Sequence, residues 1–139
     1  MAHIGQIPNI HQLHLDSTQI TDAGLVYFHK PNLRFLTELS LNSTAITDAG
    51  LVHLRGRGRL DTLSLDSTQI TDAGLANLRP LHCSELSLKA TQVTDEGLMY
   101  LSEMRLKRLS LASTRVTSAR IDAFRRACPE CVCNPISGP

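Results

Sequence analysis

The chain has 139 residues, the length of one domain, and 42% of them are hydrophobic, so it can bury a core of its own. Its 14 Lys and Arg residues nearly balance its 13 Asp and Glu residues, which excludes the strongly basic surface of a dedicated nucleic-acid binder. No apolar run is long enough to span a membrane, and the N-terminus lacks the pattern of a secretory signal. We therefore expect an intracellular protein with no nucleic-acid or membrane partner.

One sequence pattern, L-x-L-x-S-T-x-I-T-D-A-G-L and its variants, occurs five times. The copies begin at Leu13, Leu39, Leu63, Leu86 and Leu109, so successive copies are 26, 24, 23 and 23 residues apart. A period in the twenties on this motif is the signature of a leucine-rich repeat, whose units bury their apolar residues only by stacking. We predict an α/β fold, a right-handed leucine-rich-repeat solenoid with a parallel concave sheet and short convex helices. Residues 1–139 would form this single domain.

Each copy opens with a short predicted strand. The two Leu residues of L-x-L alternate with polar residues, so the Leu side chains point to one face and their neighbours to the other. The hydroxyls of five threonines just after the strands are expected to satisfy backbone groups at the bend that follows. These threonines are Thr18, Thr44, Thr68, Thr91 and Thr114.

The T-D-A-G-L segment predicts the start of a helix. Each copy offers a Thr hydroxyl as the N-cap and an Asp beside the positive end of the helix dipole, as at Thr21, Thr47, Thr71 and Thr94. A Gly near a helix start costs up to about 1 kcal/mol relative to Ala. We therefore expect a neighbouring backbone to pack where a Cβ would lie, as at Gly50 and Gly74.

The polar residues beside the strand leucines form the predicted concave face, which is the candidate partner-binding surface. Its N-terminal part is acidic, whereas Lys89 and Arg108 make its C-terminal end basic, so the face would suit a polar or mixed-charge peptide. A solvated sheet face without a partner is the alternative, because aromatic anchor residues are missing. The candidate residues are Gln12, His14, Asp16, Glu38, Ser40, Asn42, Thr62, Ser64, Asp66, Glu85, Ser87, Lys89, Arg108 and Ser110.

The densest positive cluster is the segment from Arg55 to Arg59, R-G-R-G-R, between a predicted helix and the next strand. Arginines in a Gly-rich loop are able to hold phosphate or acidic side chains through bidentate contacts. The segment lacks the spacing of a phosphate-binding loop, so we favour a solvated loop.

Three cysteines lie near the C-terminus. Cys128 and Cys131 have C-x-x-C spacing, and with Cys133 and Cys83 they offer four thiolates for zinc. An alignment of the tail with the fifth repeat, however, places these three cysteines in apolar positions: Cys128, Cys131 and Cys133 fall beneath Leu106, Leu109 and Leu111. Free Cys behaves as a small buried hydrophobe. We favour a degenerate C-terminal cap over residues 117–139 with a sixth strand, and expect no metal and no cofactor. A metal site or a disulfide among these cysteines is the alternative.

The N-terminal edge of the array is predicted to be uncovered. Residues 1–9 resemble the tail of a preceding repeat, and an uncapped end repeat exposes its core. We therefore expect either a longer parent chain or self-association at this edge. No known catalytic motif appears among the scattered His, Ser and Asp residues, so we expect a non-enzymatic interaction module.

Over residues 10–124 the repeat resembles the cysteine-containing class of leucine-rich repeats found in F-box substrate receptors, and related bacterial repeat proteins. The likeness lies in the I-T-D-x-G-L stretch, although F-box receptors usually carry Cys where this chain has Thr44 or Thr68. The resemblance implies a concave surface that binds a protein or peptide. Alternative functions are the substrate-recognition part of a ubiquitin ligase and a zinc- or thiol-dependent C-terminal site.

Overall fold

The computed structural model describes residues 6–134. Its six strands form one parallel sheet in sequence order, with equivalent leucines directly opposite one another. The predicted α/β leucine-rich-repeat solenoid is therefore confirmed. The strands are β1 (Gln12–His14), β2 (Glu38–Ser40), β3 (Thr62–Ser64), β4 (Glu85–Ser87), β5 (Arg108–Ser110) and β6 (Val132–Asn134).

Short helices follow the first five strands. In the first four repeats two apolar residues follow the T-D pair at i and i+3, and each is at most 1% exposed, from Leu25 and Phe28 to Leu98 and Leu101. One side of each helix therefore packs on the core, as the periodicity predicts. The helices are α1 (Asp22–Leu25), α2 (Asp48–Leu51), α3 (Asp72–Leu78), α4 (Gly97–Leu101) and α5 (Ser118–Ala127), with 3-10 turns at Val26–His29, Pro31–Leu33 and Val52–Arg57.

The core is a stack of leucines from successive strands. Leu39 and Leu41 are fully buried, and each such side chain contributes about 1.5–3 kcal/mol. Their counterparts in the first repeat, Leu13 and Leu15, are only partly buried, because no described strand pairs with the outer side of β1. The N-terminal edge of the described array is therefore open. Residues 1–5 and 135–139, which the sequence analysis includes in the domain and its cap, lie outside the described residues.

The threonines after the strands close the bend between strand and helix. Each hydroxyl donates to the carbonyl oxygen of the leucine three residues earlier, at 2.6–2.7 Å. The preceding residue is in the left-handed region, with φ between 53° and 60° at Ser17, Ser43, Ser67, Ala90 and Ser113. The expected role of these hydroxyls is confirmed.

Candidate functional site on the concave face

The fourteen predicted concave-face residues lie in three parallel columns. Strand register aligns the members of two of these columns. The outer column comprises Gln12, Glu38, Thr62, Glu85 and Arg108, and the central column comprises His14, Ser40, Ser64, Ser87 and Ser110. A third set, here named the ladder column, comprises Asp16, Asn42, Asp66 and Lys89, each two residues after a central-column residue. Residues two apart on a strand share a face, so the fourteen side chains lie on one side of the sheet.

The ladder column binds neighbouring repeats to each other. Asp16 Oδ1 accepts from Ser40 Oγ at 2.5 Å and from the Asn42 backbone N–H at 2.8 Å. Asn42 Oδ1 repeats this arrangement with Ser64 Oγ and the Asp66 N–H, at 2.7 and 2.8 Å. The sequence predicts these side chains as part of the partner-binding surface. Instead, much of their hydrogen-bonding capacity is used inside the protein.

The concave ladder stops at Lys89. Asp66 Oδ1 still accepts from Ser87 Oγ at 2.6 Å and from the Lys89 N–H at 2.8 Å. Lys89 has no side-chain acceptor, so the step toward Ser110 and Ala112 is not made in the described part of the chain. This end of the face forms a shallow depression of about 340 Å³ that includes Lys89, Arg108 and Ser110.

The outer column carries the most accessible charges of the face. His14 Nε2 lies 3.3 Å from Glu38 Oε1, and Arg108 Nη1 lies 3.4 Å from Glu85 Oε1. All four side chains are at least one-third exposed, and exposed pairs of this kind contribute about 0–1 kcal/mol. A partner can therefore exchange these contacts for its own at little cost in stability.

A second ladder joins the helix starts of neighbouring repeats. Asp48 accepts from the Thr71 N–H at 2.8 Å and from Thr71 Oγ1 at 2.5 Å, one bond to each carboxylate oxygen. Asp22 holds Thr47 in the same way, and the pattern continues from Asp72 to Thr94 and from Asp95 to Thr117. The recurring Thr-Asp pairs are thus primarily links between repeats.

The predicted role of these threonines as helix caps is only partly correct. The Thr47 hydroxyl accepts from the Ala49 N–H, but Thr21 and Thr71 make no side-chain cap bond. In the fourth repeat the helix begins at Gly97 with Glu96 as its N-cap, not Thr94. Donation to an aspartate of the preceding repeat does not exclude capping, because Thr47 and Thr117 each donate to such an aspartate and also accept a cap bond. The Thr94 hydroxyl likewise accepts from the Glu96 N–H at 3.3 Å, although the helix itself begins later.

The glycine of T-D-A-G-L leaves room for this carboxylate. A Cβ on Gly74 would lie 3.0 Å from Asp48 Cγ and 3.1 Å from Leu51 Cδ1, both in the preceding repeat. Gly50 has the same relation to Asp22 and Leu25. The expectation of a close neighbour is correct, but the neighbour is a side chain, so the predicted backbone contact is wrong.

Gly74→Ala is expected to lower the free energy of unfolding by about 1–3 kcal/mol, the usual cost of overpacking. Chemical denaturation of the purified variant measures the change. Gly56→Ala is the matched control, because a Cβ there would lie 3.5 Å from His29 Cε1, an ordinary contact. Equal effects of the two substitutions would contradict the carboxylate explanation.

The arginine-rich loop is not the free solvated loop predicted from sequence. Arg57 is half-buried, and its guanidinium donates to the carbonyl oxygens of Phe28 at 2.8 Å, Leu36 at 3.4 Å and Leu33. Burial lowers the pKa of Arg57. The first repeat is the longest, and Arg57 satisfies carbonyls around its additional 3-10 turn.

The remaining charge of this loop is also partly engaged. Arg59 Nε lies 2.7 Å from Asp61 Oδ1, and both side chains are more than one-third exposed. With Arg57 bonded to carbonyls and Arg59 paired with Asp61, exposed Arg55 is the arginine of this loop that stays accessible to an anion.

The C-terminal cysteines form the predicted sixth strand, but in a different register. Cys133 lies opposite Leu109, whereas the alignment placed Cys131 there. Cys133 follows Leu109 by 24 residues, the same step as from Leu39 to Leu63, whereas the alignment with Cys131 assumed a step of only 22 residues. The ten-residue helix α5 occupies most of this connection. Cys128 consequently lies at the helix end, half-exposed. Within residues 6–134, no group of three or more His, Cys, Asp or Glu side chains is arranged to hold a metal ion.

The thiols are expected to differ sharply in reactivity. Burial raises the pKa of Cys83 to about 12 and that of Cys131 to about 11, and it raises the pKa of Cys133 as well. The thiolate is the nucleophile. Iodoacetamide at pH 8 should therefore modify the more exposed Cys128 first in the folded protein and all four cysteines in denaturant, as counted by mass spectrometry. Rapid modification of Cys131 in the folded protein would contradict this assignment.

The same pKa shifts predict a loss of stability in alkali. The ordinary thiol value is 9.0, so above about pH 9 the unfolded chain releases protons that the folded protein still holds. Deprotonation then favours the unfolded state. The contribution of these thiols to stability should be complete below pH 9 and should fall as the pH rises toward 11 and 12.

Three comparisons place the chain among known proteins. A leucine rich repeat family model matches residues 6–28 and 32–54. The structure is similar to a leucine-rich repeat protein of Leptospira interrogans, with a TM-score of 0.64 and 23% identity over 97% of this chain and 33% of that chain. It is also similar to an internalin of Listeria monocytogenes, with a TM-score of 0.55 and 18% identity over 98% of this chain and 50% of that chain. No curated protein sequence matches significantly.

The chain spans between one-third and one-half of the length of these two structures. The matches do not extend to the F-box subclass, which stays a resemblance in sequence. Among residues 6–134, no helix is both long and apolar enough to cross a lipid bilayer. With its repeated motif, its parallel sheet of aligned leucines and these structural neighbours, the chain has the leucine-rich-repeat fold, and the family model matches its first two repeats.

Proposed function

We propose that the protein is a non-catalytic scaffold that binds a protein or peptide partner through its concave face, inside the cell. The main support is a difference between the polar side chains of this face: some are hydrogen-bonded inside the protein, and others stay accessible to a partner. Asp16, Asn42 and Asp66 are bonded to neighbouring repeats, whereas the outer column and the C-terminal depression keep charges and donors accessible. Leucine-rich repeat proteins are typically binding scaffolds, which agrees with this proposal.

Photo-cross-linking in the native cell tests this proposal. Benzoylphenylalanine replaces Thr62 in the outer column of the concave face, or Val52 on the outer helices, where 49% of the side chain is exposed. Thr62 makes no side-chain ladder bond, so the fold should tolerate the change. We expect a cross-linked protein of defined mass from position 62, which an excess of unlabelled protein removes. Cross-links from position 52 alone would contradict the proposal.

The second candidate is association through the N-terminal edge. Leu13 and Leu15 are partly exposed, and the Thr21 hydroxyl has no aspartate partner among the described residues, unlike Thr47. A further repeat of a longer parent chain or a second copy of this chain would cover this edge. Sedimentation velocity over a range of concentrations tests the second case. A dimer that Leu13→Lys dissociates supports it, and a monomer at every concentration contradicts it.

A further inference from the structure

The end of the concave ladder has a specific geometry. In three successive repeats the ladder column supplies one oxygen that accepts two bonds, one from the next serine Oγ and one from the backbone N–H two residues later. Two of the three oxygens belong to carboxylates, Asp16 and Asp66, and the third belongs to Asn42. The repeat therefore builds a two-donor cradle for a single carboxylate or amide oxygen.

The backbone continues this geometry beyond Lys89. Ala90 N–H donates to Ala112 O at 2.8 Å, as Ser67 N–H donates to Lys89 O in the preceding repeat at 2.8 Å. Leu88 N–H donates to Ser110 O at 2.9 Å, which again matches the earlier repeats. The Ser110 hydroxyl and the Ala112 N–H are therefore placed as a fourth cradle, although the side chain that should supply the oxygen is Lys89.

The fourth cradle has donors but no acceptor among residues 6–134. Ser110 Oγ accepts a long bond of 3.4 Å from Asn134 Nδ2, which leaves its own hydrogen free to donate. Lys89 replaces the negative or neutral acceptor with an exposed positive charge. Arg108 lies on the rim of the same depression. Arg108 is paired with Glu85, and Asp66 lines the same depression, so the two donors and Lys89 are the groups that favour an anionic oxygen at this point.

We propose that Ser110, the Ala112 N–H and Lys89 form a binding subsite for the carboxylate of an Asp or Glu side chain in a protein partner. The partner's oxygen would take the place that Asp66 Oδ1 takes one repeat earlier, and Lys89 would pair with its charge. This subsite rests on the proposed binding function of the concave face, and it names the chemistry of the residue that the partner presents there.

An internal carboxylate tests the cradle without any ligand. Lys89→Asp supplies the missing acceptor, so amide exchange at Ala112 should slow roughly tenfold, the factor that corresponds to about 1.4 kcal/mol. Lys107→Asp is the matched control, since it makes the same charge change at an exposed position outside the depression. Unchanged Ala112 exchange in Lys89→Asp, or equal slowing in both variants, would overturn the geometry.

A short acidic peptide tests the ligand. The probe is acetyl-Gly-Asp-Gly-amide, titrated while the Ala112 amide resonance is followed by NMR. We expect a saturable shift that Lys89→Asp abolishes and Lys107→Asp preserves, with no shift from acetyl-Gly-Asn-Gly-amide. Two results would overturn the assignment to an Asp or Glu side chain. One is an Ala112 shift with acetyl-Gly-Gly-Gly, which carries only a free C-terminal carboxylate, and none with the Asp peptide. The other is an Ala112 shift with the Asp peptide that persists in Lys89→Asp.

These results are separable from the test of the scaffold itself. A saturable Ala112 shift with no cross-link from position 62 would support the subsite and contradict the proposed partner on the concave face. A cross-link from position 62 with no Ala112 shift would support the scaffold and overturn the subsite.

Discussion

Replacing Leu65 by Ala is expected to lower the free energy of unfolding by about 2–5 kcal/mol. Leu65 is fully buried, and so are its equivalents in the neighbouring repeats, Leu41 and Leu88. The missing methyl groups would leave a cavity between two repeats that are each held in register by the sheet and by both ladders. Because the walls of this cavity cannot close, the cost should lie near the upper part of the range. Urea denaturation followed by circular dichroism measures it.

Leu15→Ala is the matched control for this experiment. Leu15 occupies the same position of the repeat but is only partly buried at the N-terminal edge, so its truncation removes less buried surface and leaves no enclosed cavity. We expect a clearly smaller loss than for Leu65→Ala. Equal losses would mean that the edge is covered in solution, whereas a negligible loss at Leu65 would contradict its place in the core.

Asp48→Ala should also strongly destabilise the fold. The substitution leaves the Thr71 N–H and hydroxyl without their acceptor at a partly buried interface. A hydrogen bond to a charged group contributes about 1.5–3 kcal/mol, so we expect a loss of about 2 kcal/mol or more by the same measurement. Asp122→Ala is the control, since Asp122 pairs with Arg125 at 3.7 Å on the exposed side of α5.

The double variant Asp48→Ala with Gly74→Ala separates the two roles of this carboxylate. Without the Asp48 carboxylate, Leu51 Cδ1 is the close contact that stays beside a Cβ at residue 74, so the added methyl group should cost less than it does in the parent protein. A coupling free energy of about 0.5–3 kcal/mol is typical of residues in contact. Strict additivity of the two substitutions would show that Gly74 is required for another reason.

The periodic part of this structure was accessible from sequence. Strands, helix faces and the concave face all follow from where leucine recurs, because each repeat must hide the same side chains against its neighbours. The ladders were missed because their members recur in every repeat as well. An Asp that follows Thr in every repeat fits two explanations equally well: it stabilises the start of its own helix, or it accepts hydrogen bonds from the Thr of the next repeat. Only the distances between the side chains of neighbouring repeats distinguish the two.

The irregular parts were less accessible. Arg57 resembles a solvent-facing residue of a Gly-rich loop, and its contacts with Phe28 and Leu33 arise only because the first repeat is longer than the second. The register of Cys133 depends on the end of α5, where the chain has already left the repeated motif. In both places the structure depends on how many residues connect one strand to the next. The spacing of the leucines within a repeat does not determine that number.

The open edge beside Leu13 and Leu15 also affects how the array fluctuates. In a solenoid each unit is stabilised only by its direct neighbours, so the two end units, which carry β1 and β6 and have a single described neighbour each, open first and most often. Local opening should decrease from β1 toward β3 and β4, which have strands on both sides. Most of the residues that line the depression at Lys89 belong to β3 and β4 or directly follow them, and the depression lies far from β1. A partner that binds there meets a surface already fixed in one conformation and loses little entropy in ordering it.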